Sequence, residues 1–352
     1  MYKYPIATPN VNTGNELKYV TEAIRTNWVS WRGRFIKEFE EKFAKRHGAK
    51  YGVTTTSGTT ALTLAVASIA EEGDEVIVPE FTMVASAWAV TYNNVKPVFV
   101  DCKDDLTIDS DLIERKITER TKAIMPVHIY GRQCEMGKVK EIADKYKLKV
   151  IEDSALNHGV SLKGDVACYA FFANKIMTAG EGGICITNDE KLAERMEYLR
   201  NMAFDPKHTF LHKEIGFNFR MTNLQAAVLL AQLERLDEFL QKRKQIEGWY
   251  NEELKNVPQI TLMPSREGVW VYDILAEDKQ GLMDYLEEEG VETRNFFKPM
   301  SMQPMYLNDY SYLKAYDFSE KGLYLPVYTR LEQKDIQYIC ERIREYYRKR
   351  SS

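Results

Sequence analysis

Over the first 240 residues, short apolar β-branched runs alternate with longer stretches of helical spacing, and few architectures accept that order. The runs fall at 75–78, 97–100 (PVFV), 122–129, 148–152 (LKVIE) and 183–187, with helical spacing between them, as at 59–70 and 136–146. Runs that are apolar at successive positions belong to strands covered on both faces. Strands of that kind alternating with helices predict a mostly parallel sheet with helices on either side. From 222 to about 256 one long helical signal follows, with Leu224, Ala227, Leu230, Leu233 and Leu236 on one stripe and Thr222 as its cap. Beyond it, β-like segments such as VWVYDIL alternate with acidic helices at 281–289 and 332–348. The chain is therefore expected to form a large α/β domain over 1–245 and a smaller α+β domain over 246–352.

Composition narrows the function classes. The apolar share of 44% and charged share of 28% are those of a globular protein and exclude a disordered or disulfide-stapled chain. Lys and Arg number 48 against 52 Asp and Glu, so no basic excess points to nucleic acid or an anionic membrane. The basic end, REYYRKR, is short enough to read as a solvated helix tail. Five cysteines, an odd number with wide spacing and no CxxC, suit reduced thiols in the cytoplasm. Neither a signal-peptide pattern nor a run of 18 apolar residues is present, so no membrane association is expected. The histidines are scattered, without HExxH, and no metal site is expected.

Four motifs carry chemistry. In Thr56-Ser57-Gly58-Thr59-Thr60, a strand runs into a helix, and the first N–H groups of a helix lack internal partners. Such a turn either cradles a phosphate or is an ordinary N-cap. In Val150-Ile151-Glu152-Asp153-Ser154, an Asp ends a buried strand, where open α/β sheets bind ligands. That Asp suits a protonated ring nitrogen, or a helix cap. In Phe171-Phe172-Ala173-Asn174-Lys175, followed by Gly180-Glu181-Gly182-Gly183, a lone Lys lies between aromatics and a glycine-rich loop. A desolvated Lys is pushed toward the neutral amine, which attacks carbonyls; an exposed Lys in a turn is the plainer reading. Finally, Asn218 and Arg220 alternate with aromatics in GFNFRMTN, just before the long helix.

A phosphate turn, a strand-end Asp and a Lys 22 residues later follow the order of fold-type I pyridoxal phosphate enzymes. The chain resembles the DegT/DnrJ/EryC1/StrS family of nucleotide-sugar aminotransferases along nearly its whole length. The resemblance runs through GNELKYVTEAI, the SGTTAL turn, GDEVIVPEFT, PVHIYG, VIEDSA, FFANK with GEGG, and GFNFRMTNLQAAVLLAQLERLDEF. Within the family the wording is most similar to the GDP-perosamine synthase branch, whose substrate loop RNFFKPMSMQPMY resembles. The resemblance implies a fold-type I transferase that uses pyridoxal 5'-phosphate, with pyridoxamine 5'-phosphate as its second form. It implies Lys175 as the Schiff-base lysine and proton shuttle, and Asp153 as partner of the ring nitrogen. Gly58 and Thr59 would hold the phosphate, Met83 would lie where an aromatic usually stacks, and Leu156 would face the ring's phenolic oxygen. Asn218 would reach the phosphate of a neighbouring subunit, which implies a homodimer with shared sites. Trp28, Ser30, His128, Arg220, Phe297 and Lys298 would lie on the substrate side. The implied reaction takes an amino group from L-glutamate to a nucleotide-linked 4-keto-6-deoxyhexose, giving a perosamine- or viosamine-type sugar for surface glycans.

Leu156 stands where the family usually has Gln, His or Glu, Ala170 where it has a phosphate-binding Ser, and Ser301 where it has His. Asn157, His158 and Trp88 are candidates to compensate for these replacements. Three other readings compete: amination at C3 instead of C4, a binding protein with a decayed site, and a nicotinamide oxidoreductase. The last lacks a GxGxxG, and Lys175 argues against the family's 3-dehydratases, which carry His there.

Overall fold

The structure, a computed structural model, describes residues 2–205, 207, 210–307 and 312–351. Helices α1 (Glu16–Arg25) and α2 (Arg34–Arg46) come first. Then follow β1 (Tyr51–Thr55), α3 (Gly58–Ala67), β2 (Glu75–Pro79), α4 (Val84–Thr91), β3 (Lys96–Val100), α5 (Ser110–Ile113), β4 (Thr121–Ile124), α6 (Met136–Tyr146), β5 (Lys149–Asp153), β6 (Val166–Ala170), β7 (Gly183–Thr187) and α7 (Glu190–Arg200). The rest of the chain holds α8 (Asn223–Leu233), α9 (Leu236–Leu254), β8 (Ile260–Leu262), β9 (Tyr272–Ala276), α10 (Lys279–Glu288), β10 (Arg294–Asn295), α11 (Leu313–Lys321), β11 (Gly322–Leu325) and α12 (Gln333–Ser351).

Seven strands form one sheet in the order β1-β7-β6-β5-β4-β2-β3. Only β7 runs antiparallel to its neighbours, so the carboxyl ends of the other six emerge along one edge. The α/β sheet with a mostly parallel centre is therefore as the alternation demanded. A second, antiparallel sheet has the order β10-β11-β9-β8. Among the described residues, no helix is long and apolar enough to cross a membrane.

Three local expectations fail for tertiary reasons. The run at 122–129 stops being a strand at Ile124. Val127 keeps a single bridge to Asp153, and the chain then turns through Tyr130 (φ 51) and Gly131 (φ 94). The turn lets Gly131 meet the C-terminal part of the chain, since a Cβ there would lie 1.5 Å from the Gly268 carbonyl oxygen. β6 (VACYA) was not anticipated, because its small residues give a weak strand signal; it forms because β5 and β7 pair with it on both sides. The long helical signal splits at Glu234–Arg235, where Arg235 leaves helical geometry (φ −116, ψ 8). The break redirects the apolar stripe: Leu236 and Phe239 join the main core, whereas Ile246, Tyr250 and Leu254 join a second core around β8–β11.

A boundary at 245/246 thus falls inside α9, and the chain's start belongs with the second core. Tyr4 bridges to Val291, and the Ile6 N–H donates to Glu292 (2.9 Å). A buried ionic network joins the two sheets. Asp273 on β9 accepts from Arg132 at both carboxylate oxygens (2.8 and 2.9 Å) and from Arg266, whose Nε donates to Glu247 on α9 (3.0 Å). All four residues are buried.

Candidate active site

Parallel strands deliver their ends to one edge, and a cavity of about 260 Å³ opens there. Its wall takes Ser57, Gly58 and Thr59 from the β1–α3 turn, Thr82 and Met83 from the β2–α4 turn, and Asp153 and Leu156 from the end of β5. Ala170, Phe172 and Lys175 come from the end of β6, and Glu181 from the loop before β7.

The β1–α3 turn is a capping box. The Ser57 hydroxyl accepts from the Thr60 N–H (3.2 Å), and the Thr60 hydroxyl accepts from the Ser57 N–H (2.9 Å). The box leaves the N–H groups of Gly58 and Thr59, the first two of α3, without helical acceptors and at the cavity wall. The cap and anion-cradle readings of this turn are therefore compatible. A Cβ on Gly58 would lie 2.4 Å from the Ala170 Cβ, so the helix start sits directly on the end of β6. Gly58→Ala is expected to push α3 off β6, with an overpacking cost of about 1–3 kcal/mol. Thermal melting and titration with a phosphate-bearing ligand check this; unchanged values in both would show that the close approach does not matter.

Asp153 is 4% exposed. Its Oδ2 accepts from the Ser86 hydroxyl (2.7 Å) and its Oδ1 from the Ala155 N–H (3.0 Å). Burial pushes its carboxyl above the usual range, opposed by these two donors and by Lys175. Lys175 faces the cavity, with Nζ 4.5 Å from the centroid of the Trp270 ring. Burial pushes its ammonium down to about 8, against the pull of the Asp153 carboxylate. A lysine of this kind holds a substantial neutral fraction near neutral pH, as carbonyl chemistry requires. Trp270 is itself fixed by donating its ring N–H to the Asn174 carbonyl (2.9 Å).

The cavity gathers Gly58, Thr59, Met83, Asp153, Leu156 and Lys175. His128 is corrected: it is fully buried and has no face for a substrate. Its Nδ1 accepts from the Cys134 N–H (3.2 Å), which leaves the proton on Nε2 to donate to Glu152 (2.9 Å). Asn157 and His158 are also engaged elsewhere. Asn157 donates to the Gly131 carbonyl (2.8 Å) and accepts from the Gly159 N–H (3.0 Å). His158 donates from Nε2 to the Ala170 carbonyl (2.9 Å) and accepts at Nδ1 from the Met177 N–H (3.3 Å). Burial drives the His158 ring down to about 3, so it stays neutral. Trp88 lies outside the cavity wall, packed near Tyr92 on α4. None of the three supplies the hydrogen bonds that the apolar side chains of Leu156 and Ala170 are unable to make.

The other predicted residues lie outside the cavity of a single chain. Trp28 and Ser30 are exposed, and their carbonyls accept from Asn223 at the start of α8 (2.6 and 2.8 Å). Asn218 is exposed and bridged to Asn201, which also accepts from Arg220 (2.7 Å). Phe297 packs against Tyr130 and Trp270, and Lys298 pairs with Glu320 (2.7 Å). Sequence reasoning assigned no role to Thr82, Ser86, Phe172, Glu181 or Trp270. Phe172 and Glu181 sit inside the aromatic and glycine-rich motifs around Lys175, but Ser86 and Trp270 meet the site only through tertiary structure, and no local signal marks them.

A family model for the DegT/DnrJ/EryC1/StrS aminotransferase family matches residues 11–344. The GDP-perosamine synthase of Caulobacter vibrioides is 41% identical over 94% of this chain and 95% of its own. The dTDP-3-amino-3,6-dideoxy-alpha-D-galactopyranose transaminase of Aneurinibacillus thermoaerophilus is 35% identical, over 93% of this chain and 94% of its own. Among solved structures, S. venezuelae DesV in complex with a ketimine intermediate superposes with a TM-score of 0.89 at 30% identity, covering 94% of both chains.

Proposed function

Because this chain belongs to the DegT/DnrJ/EryC1/StrS aminotransferase family, we propose that it moves the amino group of L-glutamate to a nucleotide-linked 4-keto-6-deoxyhexose. The product is a 4-amino-4,6-dideoxy sugar nucleotide of the perosamine or viosamine type. The observation that carries this reading is the 41% identity to a GDP-perosamine synthase along nearly both full lengths, with Lys175 set in the cavity. The lower identity, 35%, to a transaminase named for a 3-amino sugar makes amination at C3 the second reading.

The cofactor is pyridoxal 5'-phosphate, and the cavity's residues suit it. The unpaired N–H groups of Gly58 and Thr59 suit its phosphate, the buried Asp153 carboxylate its ring nitrogen, and the Lys175 amine its aldehyde. When bound, this cofactor supplies an electron sink for the carbon that loses a proton. Lys175 does the proton work: Nζ takes the proton from the amino donor and returns one to the sugar carbon, so its side of approach sets the product's configuration. Leu156 and Ala170 offer no side-chain hydrogen bond where the family resemblance implies one, each a difference of about 0.5–1.5 kcal/mol in cofactor binding.

The enzyme works as a homodimer in this reading. Asn218 is exposed, and the segment just before it exposes Phe210, Leu211 and Ile215, which supports its serving a neighbouring copy's site. All five cysteines are free, which supports a place in the cytoplasm.

An absorbance spectrum taken before and after adding L-glutamate tests the donor half. A band near the visible edge that moves on adding glutamate is expected, followed by turnover of a 4-keto sugar linked to GDP, dTDP or UDP. A colourless protein that takes up no added cofactor, or one that aminates only 3-keto sugars, would overturn the reading.

A further inference from the structure

A carboxylate as buried as Asp153 stays charged only if its surroundings hold the charge. The groups facing it are few. Lys175 comes from the loop after β6, and His128, whose ring is bound to Glu152, from the turn after β4. Cys168 is its register partner on β6, a thiol that burial keeps neutral. Direct hydrogen bonds come from the Ala155 N–H and the Ser86 hydroxyl in the first turn of α4.

The Ser86 hydroxyl has a single proton, and at 2.7 Å it goes to Asp153 Oδ2. Toward Thr82, whose Oγ1 lies 3.0 Å from Ser86 Oγ, Ser86 can then only accept. Thr82 must donate, so both hydroxyl protons point the same way, toward the carboxylate. Both side chains are fully buried, so no water competes. Hydrogen bonds aligned head to tail polarise one another, and the one that ends on a charge gains most.

We propose that Ser86, with Thr82 behind it, is a positioning residue for the reaction: it keeps Asp153 charged and aimed, and so sets how firmly the cofactor's ring nitrogen is held. The inference rests on the aminotransferase reading. Ser86 lies in none of the motifs quoted above and is 67 residues from Asp153 in sequence, and Thr82 closes the GDEVIVPEFT run without any role assigned to it there.

The test uses Ser86→Ala, Ser86→Thr and Thr82→Val in the full-length enzyme, stripped of cofactor and then titrated with pyridoxal 5'-phosphate at about pH 6 and about pH 8, beside thermal melts. Ser86→Ala is expected to bind the cofactor about 10- to 100-fold more weakly, the loss of a hydrogen bond to a charged group. The loss should be larger at the lower pH, because without its donor Asp153 takes up a proton more readily. Ser86→Thr keeps the hydroxyl and should stay within about 3-fold of the native enzyme, with Thr82→Val between the two. Native affinity in Ser86→Ala at both pH values would overturn the proposal. So would an equal loss in Ser86→Thr accompanied by a matching drop in melting temperature, which marks a packing role. If the native enzyme takes up no cofactor at all, the aminotransferase reading falls first.

Discussion

Lys175→Ala should lose at least about 10³-fold in turnover while still binding pyridoxal 5'-phosphate without a covalent link. The cavity explains both halves. The turn at Gly58 and Thr59 and the carboxylate of Asp153 lie on other strand ends and do not depend on the lysine. Among the described residues, Lys175 is the only lysine in the cavity wall, so no described neighbour replaces it as proton carrier. Lys175→Arg should fail as badly, because a guanidinium stays protonated across the working range. The native apoenzyme gives a companion measurement. With its ammonium pushed down to about 8, Lys175 gains its neutral form as pH rises through that value, some two units earlier than a surface lysine. The rate of Lys175 modification by an amine reagent, followed by peptide mapping, should therefore be half-maximal near pH 8. A half-point near that of the surface lysines, or normal turnover in Lys175→Ala, would remove Lys175 from the mechanism.

Asp273→Asn should destabilise the protein by about 3–5 kcal/mol, the cost of breaking a buried ionic pair from one side. The residue is fully buried, and its carboxylate is the shared acceptor of Arg132 and Arg266. Burial alone would push that carboxyl up, but the two guanidinium groups hold it below the usual carboxylate range. A depressed carboxyl stabilises the fold at pH values above its unfolded value, about 3.9, and that share is lost only as pH falls through the lower, folded value. The deficit of the variant should thus be constant through the neutral range and shrink only in strong acid. Urea unfolding followed at several pH values would measure it, and a deficit under about 1 kcal/mol at neutral pH would show that the network contributes little. Since Arg132 follows the turn after β4 while Asp273 lies on β9, the variant should also loosen the contact between the two sheets.

How far each feature was legible depended on the range of the forces that make it. Apolar runs and helical spacing are local, and they sufficed for the parallel sheet and for α3, α6, α8, α9, α10 and α12. The phosphate turn, the strand-end Asp and the loop Lys each lie within a few residues of the element that presents them, so their place at one sheet edge followed once the strands were known to be parallel. Resemblance to a known family then tied those residues to a cofactor and a reaction. What local signals lacked was the identity of the partners. β6 owes its strand form to neighbours on both sides, and the split of the 222–256 helix to the need to serve two cores. His128 was a plausible substrate contact until burial and two ring hydrogen bonds committed it to Glu152 and Cys134. By itself the sequence determined the fold class, through the spacing of its apolar runs, and the family, through the motifs it shares, and it named Gly58, Asp153 and Lys175 as candidates for the site. Only the tertiary structure decided that Trp270 stands over the lysine, that Ser86 and Thr82 stand behind the aspartate, and that Asp273 joins the two sheets, because burial and hydrogen bonding act between residues that the chain keeps far apart.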